Sequence, residues 1–283
     1  MATKPPSDGP WVPKRVTRVI ERRDTSTSPL LVMTDAGKAF VKTLGNPEGP
    51  DALVCEWIGT KLAAWLGLPT FDIAIVDYPE ELAFALAKGC ETIAGAAFAA
   101  RFVDGRSWDG TEDDLGCIAN EEAISGLVIF DMWTRNHDRY AAPARRNVRN
   151  VFLSEEGARK GRYRLLAMDH TECFRTGKPL SDRGLFGIDA VKDDRLYGLF
   201  PAFRAKLARD DVGPWLDRLA QFRGQDFNDA TTGIPPAWAL RRETREALRT
   251  FCVDRAKFLV QAAEKILEAA CGWHPVLPGT ESR

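Results

Sequence analysis

The stretch FDMWTRNHDRYAAPARRNVRNVFL, residues 130–153, places a polar, arginine-rich segment between two apolar runs. One acid, Asp138, lies near the beginning of the polar segment, and two amides, Asn147 and Asn150, lie near its end. The next apolar run, RLLAM, is typical of a buried strand and leads directly to a second acid, Asp169. An acid and amides in a loop, followed by an acid at a strand tip, need an explanation beyond turn formation.

These groups are the oxygen ligands that a phosphoryl-transfer site requires. Such a site needs a carboxylate that orients or deprotonates the acceptor, and further oxygens for a magnesium ion that bridges the phosphates. It also needs a cation that holds the phosphates. Lys42 in KAFVKTL lies on a predicted strand, and Glu56, on the helix predicted to follow, could pair with it.

The composition is that of an ordinary globular protein. The 283 residues can bury a sizeable core, 45% of them are hydrophobic, and 39 basic side chains nearly balance 40 acidic ones. A net charge of −1 argues against nucleic acid or an anionic membrane as a partner. Six scattered cysteines without a CxxC motif argue against zinc and a disulfide framework, and no signal peptide is recognisable. We therefore expect a soluble cytoplasmic protein.

The predicted elements are strand-rich first and helical later. Strand patterns occupy 16–22, 30–34 and 39–44, and the short Asp/Gly turn between the last two favours a hairpin. A helix is predicted over 51–67. The further predicted elements are a strand at 71–78 and helices at 121–134, 199–209, 212–223 and 241–270. This asymmetry predicts an α+β fold of two unlike lobes with a cleft between them.

Four segments, in this order, resemble the HipA-like kinase family, a branch of the protein-kinase-like fold related to phosphatidylinositol 3- and 4-kinase-type catalytic domains. They are AFVKTLGNPEGPDALVCEWIGTKLAAWLGLP, FDMWTRNHDR, NVRNVFL and LLAMDHTECF. The resemblance extends from about residue 16 to residue 174, and a helical half of suitable length follows it.

The resemblance and the composition together predict a division of the chain. A flexible tail is expected at 1–13, an ATP-binding N-lobe at 14–104 and a C-lobe with the catalytic loop and a helical bundle at 105–275. A second tail is expected at 276–283.

The resemblance also implies roles for single residues. Lys42 would contact the phosphates of ATP and pair with Glu56, and Asp138 would position the acceptor hydroxyl. Asn150 and Asp169 would hold Mg²⁺. Asn147 lies nine residues beyond Asp138 and Asn150 twelve, so the choice of amide ligand stays open. The intervening AAPARR is interpreted as an insertion that lengthens the loop without moving its ends.

The segment DTSTSP takes the place of the loop that covers the phosphates in this fold. It lacks glycine, so its backbone cannot approach phosphates as a glycine-rich loop does. The hydroxyls of Thr25, Ser26, Thr27 and Ser28 would have to contribute instead. Ser26 and Ser28 are also candidates for autophosphorylation, and residues 95–102 are the candidate hinge against adenine.

Several residues also have a purely structural interpretation. Glu56 falls off the stripe made by Val54, Ile58, Leu62 and Trp65, so periodicity alone predicts that it faces solvent. Asp131 is interpreted as a structural acid at a helix end. His137 and His170 are interpreted as neighbours that tune the site rather than metal ligands.

The prediction is thus an ATP- and Mg²⁺-dependent kinase acting on a hydroxyl, most simply Ser or Thr of a protein. One alternative is a small-molecule or lipid acceptor at the same site. Another is a nucleotide-binding pseudokinase, motivated by the glycine-free loop and the long catalytic loop. Family members often work beside a regulatory, antitoxin-like partner, which would be encoded separately.

Overall fold

The computed structural model describes residues 10–175, 178–185 and 187–273. Most of the tail predicted at 1–13, and all of that predicted at 276–283, lie outside the described residues. The strands are β1 (Val16–Arg22), β2 (Leu30–Thr34), β3 (Gly37–Lys42), β4 (Ile73–Tyr78), β5 (Gly95–Arg101), β6 (Gly105–Ser107), β7 (Tyr140–Ala142), β8 (Arg145–Arg146), β9 (Val151–Ser154) and β10 (Arg164–Ala167). The helices are α1 (Pro50–Leu66), α2 (Glu112–Gly116), α3 (Glu122–Thr134), α4 (Asp182–Leu185), α5 (Ile188–Val191), α6 (Pro201–Arg204), α7 (Arg209–Leu219), α8 (Gly224–Thr231) and α9 (Arg242–Cys271).

The first strands form a five-stranded sheet in the order β1-β2-β3-β5-β4. The predicted hairpin is confirmed, because β2 and β3 pair antiparallel with Thr34 opposite Gly37. Gly37 adopts a φ of 109°, a left-handed conformation that glycine takes without steric cost. β5 pairs antiparallel with both β3 and β4. The predicted α+β class is therefore confirmed, with antiparallel strands first and helices after them.

Helix α1 crosses between this sheet and the C-terminal helices. It begins at Pro50 and ends at Leu66. Gly67, with a φ of 98°, caps the helix by donating its N–H to the carbonyls of Ala63 and Ala64. The indole of Trp57 donates to the carbonyl of Ala230 at 3.1 Å, and that of Trp65 to Asp226 at 2.9 Å. Helix α1 is covered on nearly every side, so its apolar residues do not reveal one preferred face.

The C-terminal part packs around α3, which is buried from Ala123 to Thr134, and the long helix α9. Helix α9 lies within one residue of its predicted limits at each end, whereas α7 begins three residues before the predicted 212. The helix predicted at 199–209 is wrong beyond its first turn. The ring centroids of Phe200 and Phe203 each lie 5.1 Å from that of Trp108. The short helix α6 is thus enough to bury both apolar residues, and a longer helix is not needed.

A small second sheet, in the order β10-β9-β6, supports the polar loop of the opening stretch. Strand β9 begins directly after Asn150, and β10 ends two residues before Asp169. The AAPARR insertion turns back on itself, because Tyr140 pairs with Arg146 across the β7–β8 hairpin. The hairpin thus brings the end of the insertion back beside its beginning. In the described residues, no helix is long and apolar enough to cross a bilayer.

Candidate active site

A cavity of about 1030 Å³ opens between the first sheet, α1 and the polar loop. It is lined by all but one of the residues predicted to form the site. These are Thr25, Ser26, Thr27, Lys42, Glu56, Asp138, Asn147, Asn150 and Asp169. The missing one is Ser28.

On the cavity wall, Lys42 lies between two carboxylates. Its Nζ is 2.6 Å from Glu56 Oε2 and 3.2 Å from Asp169 Oδ1. Burial alone would lower the pKa of Lys42, but the charges of Asp169 and Glu56 outweigh it and raise that pKa. Burial raises the pKa of Glu56, although Lys42 opposes this change. Lys42 is therefore a fixed cation at every physiological pH.

Glu56 faces inward, contrary to the prediction from periodicity. Only 5% of it is exposed, because α1 has no solvent-facing side along this turn. Its Oε2 also accepts hydrogen bonds from the backbone N–H of His170 at 3.3 Å and from the hydroxyl of Thr171 at 3.4 Å. Glu56 thus holds both Lys42 and the segment that follows Asp169.

Asp169 is presented to the cavity by a strained backbone. Its φ of 57° lies in the left-handed region, which non-glycine residues rarely adopt outside tightly supported sites. Burial would raise the pKa of Asp169, but the charge of Lys42 and the hydrogen bond from Thr171 keep it well below its ordinary value. The carboxyl group is consequently ionised, with 30% of the side chain still accessible.

A close approach of two backbones makes this geometry possible. A Cβ added at Gly59 would lie 2.5 Å from the Cβ of His170. Real Cβ atoms do not come so close, so glycine at position 59 lets α1 reach the segment after Asp169. This contact brings Glu56 within reach of Lys42.

The polar loop places Asp138 beside both candidate amides. Asn150 Nδ2 donates to Asp138 Oδ2 at 2.7 Å, and Asn147 Nδ2 approaches the same oxygen at 3.4 Å. Asn150 is buried, and its side-chain Nδ2 is used by Asp138. Its side-chain oxygen, Oδ1, is therefore left to bind a cation. The shorter bond and the position directly before β9 favour Asn150 over Asn147.

Arg139, a residue that the motifs did not single out, fixes this loop from inside. It is fully buried, and its Nε donates to Asp131 Oδ2 at 2.7 Å. Its Nη1 donates to the carbonyl of Met168 at 2.9 Å and also to the carbonyl of Asn150. One guanidinium therefore joins the loop of Asp138 to the strand that delivers Asp169. The position of Arg139 directly after Asp138 could have indicated its role, but an arginine in a polar loop is ordinarily expected to be exposed.

Asp131 has the structural role that was predicted for it. It lies at the C-terminal end of α3, accepts from Asn136 Nδ2 at 3.1 Å, and is fully buried. Burial raises the pKa of Asp131 to about 6, although Arg139 opposes this change. Its function is to hold Arg139 in place.

The Thr/Ser loop divides into an exposed and a buried half. Thr25 and Ser26 are exposed, and Thr27 is buried but lines the cavity. Ser28 is 2% exposed, and its hydroxyl donates to the carbonyl of Thr25 and accepts from the N–H of Ala87. The prediction that Ser28 contacts phosphate or is phosphorylated is therefore corrected, because its hydroxyl is used to close the loop.

Part of the cavity wall is apolar. Its lining side chains include Phe40, Phe71, Ile73, Phe98, Ala100 and Met168. Of residues 95–102, the candidate hinge, Gly95–Arg101 form β5 within the sheet, and Phe98 and Ala100 line the cavity, so their contact with adenine stays a prediction. The residues on either side of Phe98 are small, and β5 lies between β3 and β4 in the sheet and ends at Arg101. An apolar lining of this kind suits a nucleobase.

The histidines flank the acids. His170 is buried and packs edge-on against Phe130, with ring centroids 5.1 Å apart. Burial, together with the charge of Arg139, lowers the pKa of His170 to about 3, so the ring is neutral. His137 Nε2 lies 3.7 Å from Glu172 Oε2 on the cavity wall.

The residues present fit magnesium bound together with phosphates. Among the described residues, no group of three or more His, Cys, Asp or Glu side chains is arranged to hold a metal by itself. Mg²⁺ in nucleotide sites takes few protein oxygens and completes its shell with phosphates and water. The carbonyl oxygen of Asn150 and the ionised Asp169 supply such a partial set.

Comparison with known proteins identifies the family of this chain. The family model described as HipA-like kinase matches residues 16–183. The crystal structure of the Helicobacter pylori proinflammatory kinase CtkA is similar with a TM-score of 0.53 and 11% identity, covering 92% of this chain and 98% of that one. A MAP kinase from Leishmania major reaches a TM-score of 0.27 at 9% identity, covering 91% of this chain and 84% of its own, which is too low to carry weight. No curated protein sequence matches.

The matched residues span more than half of the chain and include both acids, both candidate amides, Lys42 and Glu56. The CtkA likeness independently supports a kinase fold. The chain belongs to the HipA-like kinase family.

Proposed function

We propose that this protein transfers the γ-phosphoryl group of ATP to a hydroxyl, most simply that of Ser or Thr in a protein, with Mg²⁺. The observation that carries the proposal is the closed Lys42–Glu56 pair, which faces Asp169 in the same cavity as Asp138. A binding module without catalytic work has no need to hold a buried cation and two acids at such a junction.

The chain would bind ATP along the length of the cavity. The apolar part of the cavity wall would take the base, and Lys42 would meet the phosphates. Because Lys42 is already held by two carboxylates, its position is set before the nucleotide arrives. When bound by Asn150 and Asp169, magnesium would neutralise charge on the phosphate oxygens.

Asp138 would orient the acceptor hydroxyl and receive its proton. The acceptor oxygen forms a bond to the γ-phosphorus while the bond from that phosphorus to the β-bridging oxygen breaks, and ADP leaves. Hydrogen bonding from Asn150 at 2.7 Å keeps the Asp138 carboxylate aimed into the cavity. Arg139 fixes the loop behind it and touches no reacting atom.

The first experiment is phosphate transfer from γ-labelled ATP with magnesium, with and without a generic protein acceptor. Asp138→Asn should lower transfer at least about 100-fold, the typical contribution of a positioned acid or base. Asp217→Asn, at an exposed position on α7, is the matched control and should behave like the wild type.

The outcomes separate the alternatives. Label on the wild type and the control but not on Asp138→Asn supports the proposal. Stabilisation of all three proteins by Mg-ATP without any transfer would instead favour a nucleotide-binding pseudokinase. Absence of both ATP binding and transfer would contradict the proposal.

A further inference from the structure

The cations that line the cavity are unequally engaged. Lys42 is shared by Glu56 and Asp169, as described above. Arg23 Nη2 lies 2.6 Å from Glu21 Oε1. Arg106 donates from both of its terminal nitrogens to the carboxylate of Asp114. Within the described part of the chain, by contrast, the guanidinium of Arg149 has neither an ion pair nor a hydrogen bond, although it lines the same cavity. Arg149 is therefore available for a ligand.

The backbone that carries Arg149 is fixed close to the expected point of transfer. Arg149 is the middle residue of the short 3-10 turn Val148–Asn150. The turn is tied to the loop by the N–H of Asn147, which donates to the carbonyl of Arg139 at 2.9 Å. Asn147 and Asn150, on either side of Arg149, both direct their amides at Asp138.

The charges around this point call for an additional cation. Five acidic side chains line the cavity. They are Glu48, Glu56, Asp138, Asp169 and Glu172. A triphosphate would add further negative charge, and the glycine-free loop at 24–29 cannot supply the closely spaced backbone N–H groups of a glycine-rich one.

We propose that Arg149 binds the γ-phosphate of ATP and stabilises the charge that spreads over its oxygens during transfer. This inference rests on the proposed kinase function and adds one catalytic residue to it. A guanidinium matches phosphate because its planar donors can hold two oxygens at once. Arg149 neither gains nor loses a proton in the step, since the hydroxyl proton goes to Asp138.

The test compares the binding of a non-hydrolysable ATP analogue and of ADP, each with magnesium, by calorimetry. Arg149→Ala should bind the analogue about tenfold more weakly, because it loses a charged hydrogen bond to the γ-phosphate. Its affinity for ADP should stay within about twofold, because ADP has no γ-phosphate. Arg149→Lys should fall between the wild type and Arg149→Ala, because it retains the charge without the planar fork.

Arg146→Ala is the matched control. Arg146 is likewise exposed, lies three residues away at the end of β8, and does not belong to the cavity lining. It should bind both nucleotides as the wild type does. All variants should keep the wild-type melting temperature, because neither arginine is buried.

The inference is overturned if Arg149→Ala binds both nucleotides normally, or loses affinity for both equally. Failure of the wild type to bind either nucleotide would instead defeat the proposed function. An effect confined to the affinity for an acidic acceptor would also overturn it, because Arg149 would then recognise the acceptor rather than ATP.

Discussion

Helix α1 and the Thr/Ser loop at 24–29 line the same cavity but are built in opposite ways. Helix α1 is buried from Ala52 to Thr60 and is tied to the C-terminal helices through its tryptophan indoles. The loop exposes Thr25 and Ser26 and closes mainly on itself. Its backbone bonds include Arg23 N–H to Pro29 and Ser28 N–H to Thr25.

This difference separates the two tasks of the cavity. The charge constellation of Lys42, Glu56 and Asp169 must be in place before reaction, and a helix embedded in the core provides that fixed position. The cover over the phosphates must admit and release a nucleotide, and weakly tied segments serve that purpose. We therefore expect substitutions at α1 to affect the whole fold, and those at the exposed loop residues Thr25 and Ser26 to affect nucleotide handling.

The largest effect is expected from Lys42→Met. It leaves Glu56 and Asp169 without their cation, and removing one partner of a buried ion pair costs about 3–5 kcal/mol. Urea unfolding at pH 7 would measure this loss, and phosphate transfer should be abolished.

The same variant has a defined pH dependence. In the wild type, Lys42 and Thr171 hold the pKa of Asp169 below its ordinary value, so this stabilisation is present above about pH 4 and is lost as the pH falls. The stability difference between wild type and Lys42→Met should accordingly shrink at acidic pH. A difference that stays constant from pH 7 to pH 3 would contradict the electrostatic explanation.

An intermediate effect is expected from Gly59→Ala. The added Cβ would lie 2.5 Å from His170, so α1 must shift, at a cost of about 1–3 kcal/mol. Transfer should fall with it, because Glu56 moves away from Lys42. Gly213→Ala on α7 is the control, since no atom outside its own helix turn lies within 4 Å of its added Cβ. Its stability should change by less than about 1 kcal/mol, because the following Pro214 offsets the gain from replacing a helical glycine. Equal stability of the two variants would show that α1 is less tightly held than its contacts indicate.

The smallest effect is expected from Ser26→Ala. Ser26 is exposed at the cavity mouth, so the free energy of unfolding should change by less than about 0.5 kcal/mol. Its hydroxyl should nevertheless contribute to phosphate binding, and the affinity for ATP should fall a few-fold. Ser28→Ala, by contrast, removes a buried hydroxyl that bonds Thr25 and Ala87, and should destabilise the fold by about 1 kcal/mol. Chemical unfolding and ATP titration of both variants would separate these roles.

Elements with a strong local signal could be predicted from sequence. The β2–β3 hairpin follows from its alternation and Asp/Gly turn, and α9 follows from its apolar stripe. Helix α8 was missed, because a short helix of only eight residues has little periodicity to detect. The segment of the β7–β8 hairpin was interpreted as an insertion. Its strand pairing could not be predicted, because the segment has no alternation of apolar and polar residues.

The sequence by itself determined the local placement of Lys42 on a strand, Asp138 in a polar loop and Asp169 after a strand, and the resemblance of these segments to one family implied that they share a site. Only the tertiary structure decided the directions of Glu56, Ser28 and Arg139. Each of these polar side chains is buried against partners far away in the chain or on another element, and local patterns carry no record of such contacts. Periodicity reveals a buried face when the opposite face meets water, and α1, covered on nearly all sides, offers no such contrast.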